Sequence, residues 1–288
     1  MSIDKLIVDF LHELEITKKR SWRTVRNYDL YLRRFAGWLI ENKITEPKHI
    51  DVVLLRAYHE WLMHYRSPIK KSGLKRNTQN YHLIALRAFF RFLAKKGVKS
   101  ASGADVRLVL LPKTVPVMLS KDELGKLLEA PLKKVQSAVI QFRDKALLEL
   151  LNATGLRVSD IAELKRRDID LKNIKIRLNN RNITFSQQAG YWLAKYINER
   201  TDKSDYLFVG HDKTQGERQR QSNLVGLSVR SIERTVAHYA KISKINRRVT
   251  PHVLRHTFAR HLLAKGGKCD DLQRQLGHKA LATTRKYL

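Results

Sequence analysis

Apolar residues recur at helical spacing through most of the first hundred positions. Val25, Tyr28, Leu32, Phe35 and Leu39 step by three and four behind Ser21, whose hydroxyl suits a helix N-cap. Tyr81, Ile84, Ala85, Ala88, Phe89 and Phe92 repeat the pattern ahead of Lys95-Lys96-Gly97. Weaker versions run from Ile3 to Leu14 and from about Pro47 to Tyr65, so the spacing predicts a four-helix domain over residues 1–98.

The pattern then lapses. Lys99-Ser100-Ala101-Ser102-Gly103-Ala104 is small and polar, with Pro112 and Pro116 beyond it, which marks residues 99–118 as a linker. A second domain, 119–288, opens on Ser120 with Glu123 three residues later, the reciprocal arrangement of a capping box. A helix is expected from about Gln136 to Asn152. Ile174 to Leu178 and Asn182 to Phe185 alternate around Asn179-Asn180-Arg181, which reads as a β-hairpin, and Tyr206-Leu207-Phe208-Val209 as a third strand. The polar run His211 to Asn223 reads as an exposed loop, and helices fill most of the remainder. The expected fold is therefore mainly α with a small antiparallel sheet.

Charge sharpens this picture. Lys and Arg number 57 against 27 Asp and Glu, a formal charge of +30 over 288 residues. That excess exceeds what solubility requires and calls for a polyanionic partner. Double-stranded DNA fits best, because each lysine or arginine that neutralises a phosphate releases counterions. Lys18, Lys19, Arg20, Arg23 and Arg26 form one candidate DNA-binding cluster, and Lys70, Lys71, Lys75 and Arg76 a second. Any single one of these cations is more ordinary as part of a solvated helix face. No apolar run approaches membrane-spanning length, and no secretory leader pattern opens the chain, so a cytoplasmic protein is expected. Cys269, the one cysteine, fits a reducing compartment.

The candidate chemistry lies in the second domain, in Ala153-Thr154-Gly155-Leu156-Arg157, Pro251-His252-Val253-Leu254-Arg255-His256, Leu276-Gly277-His278 and Thr283-Thr284-Arg285-Lys286-Tyr287. Arginines grip the non-bridging oxygens of a phosphate, imidazoles donate hydrogen bonds or move protons, and a phenol oxygen can attack phosphorus. His252 and Arg255, three apart, share a face if they lie on one helix. Each residue also has an ordinary reading: a surface Arg157 paired with Asp160 or Glu163, a cap or turn histidine at 252 and 278, a packing tyrosine on a frayed end. Zinc on His252, His256, His261 and His278 is disfavoured, because Arg255 and Arg260 crowd the same stretch. No metal and no cofactor are expected.

Taken together and in this order, these strings resemble the catalytic signature of the tyrosine recombinases, the phage-type integrases, and are most similar to the Xer branch. The resemblance spans nearly the whole chain and is strongest from Leu119 onward. It implies a two-domain C-shaped clamp on DNA, with a helical core-binding domain and an α+β catalytic domain. It assigns Arg157, His252, Arg255, His278 and Tyr287 as catalytic, with attack giving a 3′-phosphotyrosyl enzyme and a free 5′-hydroxyl. It also implies a homotetramer on two copies of a specific recombination site, exchanging strands through a Holliday junction.

Two departures from the family pattern stand out. Relatives carry a lysine at the hairpin tip that protonates the leaving 5′-oxygen, where this sequence has Asn179-Asn180-Arg181; Arg181 or Lys175 is the substitute on offer. Relatives also continue into a short helix after the tyrosine, where only Leu288 follows here. A DNA-binding relative without activity and a type IB topoisomerase-like enzyme are the competing readings.

Overall fold

A computed structural model describes residues 2–66, 71–112, 116–211, 225–277 and 280–287. The chain divides into two compact units, Met1–Thr114 and Val115–Leu288.

Among the described residues the first unit contains four α-helices: α1 (Ile3–His12), α2 (Trp22–Glu41), α3 (Val52–His64) and α4 (Arg76–Lys95). Polar side-chain caps fix where α1, α2 and α3 start. The Ser21 hydroxyl accepts from Thr24 N–H at 3.4 Å, and an Asp51 carboxylate oxygen accepts from Leu54 N–H at 2.8 Å. The apolar stripes converge on an aromatic core in which Phe10, Phe35, Tyr58 and Phe90 are fully buried. Phe35 meets Tyr58 edge-on at 4.7 Å.

The first part of the stretch expected as linker packs on this unit. The Asn80 side chain both donates to Val109 O (2.9 Å) and accepts from Val109 N–H (2.8 Å). Arg87 donates to Val106 O at 2.6 Å. The small residues there serve close approach: a Cβ at Gly103 would lie 2.7 Å from the Arg87 carbonyl oxygen.

The second unit begins with α5 (Lys121–Lys133), started by the full capping box of Ser120 and Glu123. Around α6 (Ala138–Thr154) pack α5, α8 (Gln187–Glu199) and α10 (Pro251–Ala264). This central helix is buried nearly all round, so even its charged residues pair internally: Lys145 with Glu149 at 2.8 Å and Arg143 with Asp144 at 2.8 Å. Helices α7 (Val158–Glu163), α9 (Val229–Ile242), α11 (Cys269–Leu276) and α12 (Leu281–Thr284) and a 3₁₀ turn, Arg285–Tyr287, complete it.

The sheet is antiparallel, in the order β1 (Ile169–Asp170), β2 (Lys175–Leu178), β3 (Arg181–Thr184). Two expectations are corrected here. The hairpin turn is the two-residue Asn179-Asn180, both with positive φ (47° and 59°), so Arg181 is the first residue of β3, paired with Leu178. Residues 206–209 form no strand of this sheet. Leu207, Phe208 and Val209 are apolar because they are buried, and isolated bridges hold the segment, Lys165 to Tyr206 and Val209 to Gly226. The third strand is β1, too short to register as alternation. The expected loop from His211 to Asn223 lies outside the described residues except for its first position.

Candidate active site

Helix α6 stops because Gly155 takes the left-handed conformation (φ 59°) and returns its N–H to Leu151 O. No larger residue fits there, since a Cβ would come within 2.5 Å of the Phe258 ring. The chain leaves in an extended conformation, and Arg157 becomes the residue preceding α7 (φ −67°, ψ 146°). Its side chain is exposed and reaches Gly277 O at 3.5 Å. Among the described residues Arg157 forms no ion pair with Asp160 or Glu163, so the ordinary surface reading finds no support.

Helix α10 starts at the Thr250 cap with Pro251 in its first turn. This puts His252 near the helix N-terminus, open to solvent on one side. Partial burial, then the charges of Arg255 and Arg157, hold its pKa below the ordinary imidazole value. The ring is therefore neutral at neutral pH and able to accept a proton.

One turn on, Arg255 is almost wholly buried, at 3% exposure. Its guanidinium donates to Gly155 O (2.7 Å) and Leu276 O (2.9 Å), the carbonyls that end α6 and α11. Helix C-termini carry partial negative charge, which suits a cation. Burial first, then the charge of Arg157, depress the Arg255 pKa, against an opposing interaction with the Tyr287 side chain.

Tyr287 is 6% exposed and sits in a small apolar cluster with Ala259, Leu272 and Leu276, apart from the main core. The His256 ring lies 5.2 Å from its ring, and Arg260 donates to its main-chain oxygen at 2.8 Å. Sequence reading did not assign His256 and Arg260 to this chemistry, although 252, 256 and 260 are spaced four apart. His252 and His256 rings are 4.3 Å apart. Among the described residues no three histidine, cysteine, aspartate or glutamate side chains converge as metal ligands.

The hairpin separates its two candidates by pleat. Buried Ile176 and Ile183 face inward, and Arg181, two residues from Ile183, shares that face, whereas Lys175 alternates to the other. Arg181 reaches Arg274 O at 3.5 Å, and its guanidinium occupies the space a Cβ on Gly277 would need. The structure thus brings Arg157, Arg255, His252, Tyr287 and Arg181 around the end of α11, and leaves Lys175 outside. His278 lies outside the described residues.

In the first unit, Lys18, Lys19, Arg20, Arg23 and Arg26 are exposed around the start of α2, with Arg26 over the Trp22 ring at 5.5 Å. Lys71, Lys75 and Arg76 are exposed before and at the start of α4. Lys70 lies outside the described residues. No described helix is long and apolar enough to cross a membrane.

Residues 118–288 match the phage integrase family, and residues 7–97 match the phage integrase N-terminal SAM-like domain. The tyrosine recombinase XerC of Syntrophus aciditrophicus is 30% identical over 310 residues, covering 99% of this chain and 93% of the relative. The XerA recombinase crystal structure aligns with a TM-score of 0.52 at 26% identity, over 99% of this chain and 93% of that one. The Tn1549 transposon integrase, solved in complex with circular intermediate DNA, shares the fold with a TM-score of 0.74 at 18% identity, covering 100% and 95% of the two chains.

Proposed function

This chain belongs to the phage integrase family as a Xer-like tyrosine recombinase, an enzyme of site-specific recombination that cleaves and rejoins DNA strands, and from that premise we propose that Tyr287 is its nucleophile. The observation that carries the assignment is Arg255, a buried guanidinium that donates to the carbonyls ending α6 and α11 and interacts electrostatically with the Tyr287 side chain.

The phosphate of the scissile strand would sit between Arg255 and Arg157, whose charges offset what builds on the non-bridging oxygens during attack. His278, following Gly277, is assigned as a further donor to that phosphate. Neutral His252 takes the phenol proton as the Tyr287 oxygen bonds to phosphorus and the bond from phosphorus to the 5′-oxygen breaks. The departing oxygen leaves as a hydroxyl after taking a proton from solvent. Arg181 scarcely deprotonates, so its role is a hydrogen bond to that leaving oxygen. The phosphotyrosyl ester keeps the energy of the broken bond, and another strand's 5′-hydroxyl reverses the step. Cations stand where another enzyme would place a metal, and no cofactor is required.

The partner is duplex DNA carrying a specific recombination site, with the exposed clusters at the starts of α2 and α4, Lys70 included, on its phosphates. Two DNA-bound pairs assemble as a tetramer through a Holliday junction. With DNA as its substrate, the protein is assigned to the cytoplasm.

The test begins by selecting a bound site from a randomised duplex pool with the full chain, then nicking that site to trap cleavage. The wild-type protein is expected to form a denaturant-resistant adduct; Tyr287→Phe should bind equally well and form none. An adduct that persists in Tyr287→Phe overturns the assignment. Binding without any wild-type adduct favours a non-catalytic DNA-binding role, and relaxation of supercoils without a selected site favours a topoisomerase.

A further inference from the structure

Tyr287 is 6% exposed, and Arg260 donates to its main-chain oxygen at 2.8 Å. Arg260 projects from the same face of α10 as His256, one turn away, and His256 stands one turn from His252. The His256 ring is inclined 54° to the Tyr287 ring at 5.2 Å, and it lies edge-on to His252 at 4.3 Å. Helix α10 therefore meets the C-terminal segment at three points of one strip: Arg255 at the side chain, His256 at the ring, Arg260 at the backbone.

These contacts divide the work. A bond to the carbonyl fixes where the backbone of residue 287 lies without occupying its hydroxyl. A ring packed beside the phenol limits its rotation and leaves the oxygen edge accessible. We propose that Arg260 and His256 are positioning residues for the nucleophile, holding the Tyr287 segment on α10 of its own chain so that the phenol oxygen is presented at Arg255. The inference rests on Tyr287 being the nucleophile.

The chemistry of His256 agrees with a packing role. Its Nδ1 is buried with no hydrogen-bond partner. Burial, then His252 and Arg255, push its pKa down to about 4, so the ring is uncharged at neutral pH and adds no charge to the phosphate-binding pair. A group retained for proton transfer would need a partner for that nitrogen.

Two measurements decide the matter. Hydrogen–deuterium exchange on the free full chain needs no DNA. Arg260→Ala is expected to speed exchange in peptides covering residues 280–288 while leaving those of α10, residues 251–264, at wild-type protection. Equal acceleration in both, or in neither, overturns the proposal, because the arginine would then support the helix generally or hold nothing. Single-turnover cleavage of the selected nicked duplex supplies the second readout. Loss of a charge-assisted hydrogen bond predicts that Arg260→Ala slows adduct formation by roughly tenfold to a hundredfold at unchanged DNA affinity. Arg260→Lys, which keeps a donor, should recover part of that rate. His256→Ala should slow cleavage and His256→Phe should restore it; a Phe variant as slow as Ala overturns the packing role. Absence of wild-type adduct would count against the nucleophile assignment, whereas the exchange result stands on its own.

Discussion

The proposed phosphate-gripping side of the site and the proposed nucleophile side are held by different means. Arg255 is fastened to main-chain carbonyls at the end of α11 and at the end of α6, whose Leu147, Leu148 and Leu150 are fully buried in the large core. Tyr287 is fastened to a small cluster with Ala259, Leu272 and Leu276 as its buried members. Preorganised charge acts best when it is rigid, because no reorganisation is needed as charge develops. A group that must form and later release a covalent bond to DNA can rest on a smaller store of burial. Local stability follows buried apolar contact, so the C-terminal segment is expected to open well before the helices around α6.

The contrast is sharpest between the two arginines. Arg255→Ala should lower adduct formation on the order of a thousandfold and also destabilise the fold, since the buried Gly155 and Leu276 carbonyls lose their donor at about 1–3 kcal/mol each. Exposed Arg157→Ala should cost about a hundredfold in cleavage with stability changed by less than roughly 0.5 kcal/mol. Trapping kinetics beside thermal melts would test this; a melting loss as large for Arg157→Ala as for Arg255→Ala would break the comparison.

Cavities compare the two cores directly. Leu148→Ala should destabilise global unfolding by about 2–5 kcal/mol, the usual cost of a leucine-sized void. Leu276→Ala should shift the global midpoint less and instead raise exchange through residues 280–287. Chemical denaturation and hydrogen exchange on the same pair of variants give the answer, and an equal global loss would merge the two cores into one cooperative unit.

The smallest effect expected is with pH. Burial first, then His252 and Arg255, put the His256 pKa at about 4, below the free value of 6.5. The unfolded chain therefore binds a proton that the folded chain refuses between those values, so stability is full above 6.5 and declines as pH falls toward 4. His82 in the first unit, depressed to about 3 by burial and then Arg34, and His211, depressed to about 4 by burial and then Arg143, act with the same sign. Melting temperature should fall over this window, and His256→Phe should flatten part of the fall; an unchanged slope in that variant would place the acid sensitivity elsewhere.

Much of this was legible in the sequence, for identifiable reasons. Helices α2 and α4 are twenty residues each and strongly periodic, and Ser21 and Ser120 are caps whose chemistry is local. The order of the arginine, histidine and tyrosine strings pointed to the family. What escaped depends on proximity that no local pattern encodes. Residues 206–209 are apolar through burial between segments distant in sequence, and β1 spans two residues. Gly103 looked like slack and is instead a close approach to Arg87. Arg260 lies 27 positions from the residue it holds, so its role emerges only once the chain has folded back.

The anchoring of Arg255 has a consequence for divergence. Two of its bonds go to peptide carbonyls, which every amino acid supplies, so that part of the anchor does not depend on which side chains α6 and α11 carry outward. Exposed positions such as Asp271 and Arg274 can drift while the guanidinium stays where it is. The outward face of α11 and the buried anchor are thereby insulated from each other, and a lineage can change the one without rebuilding the other.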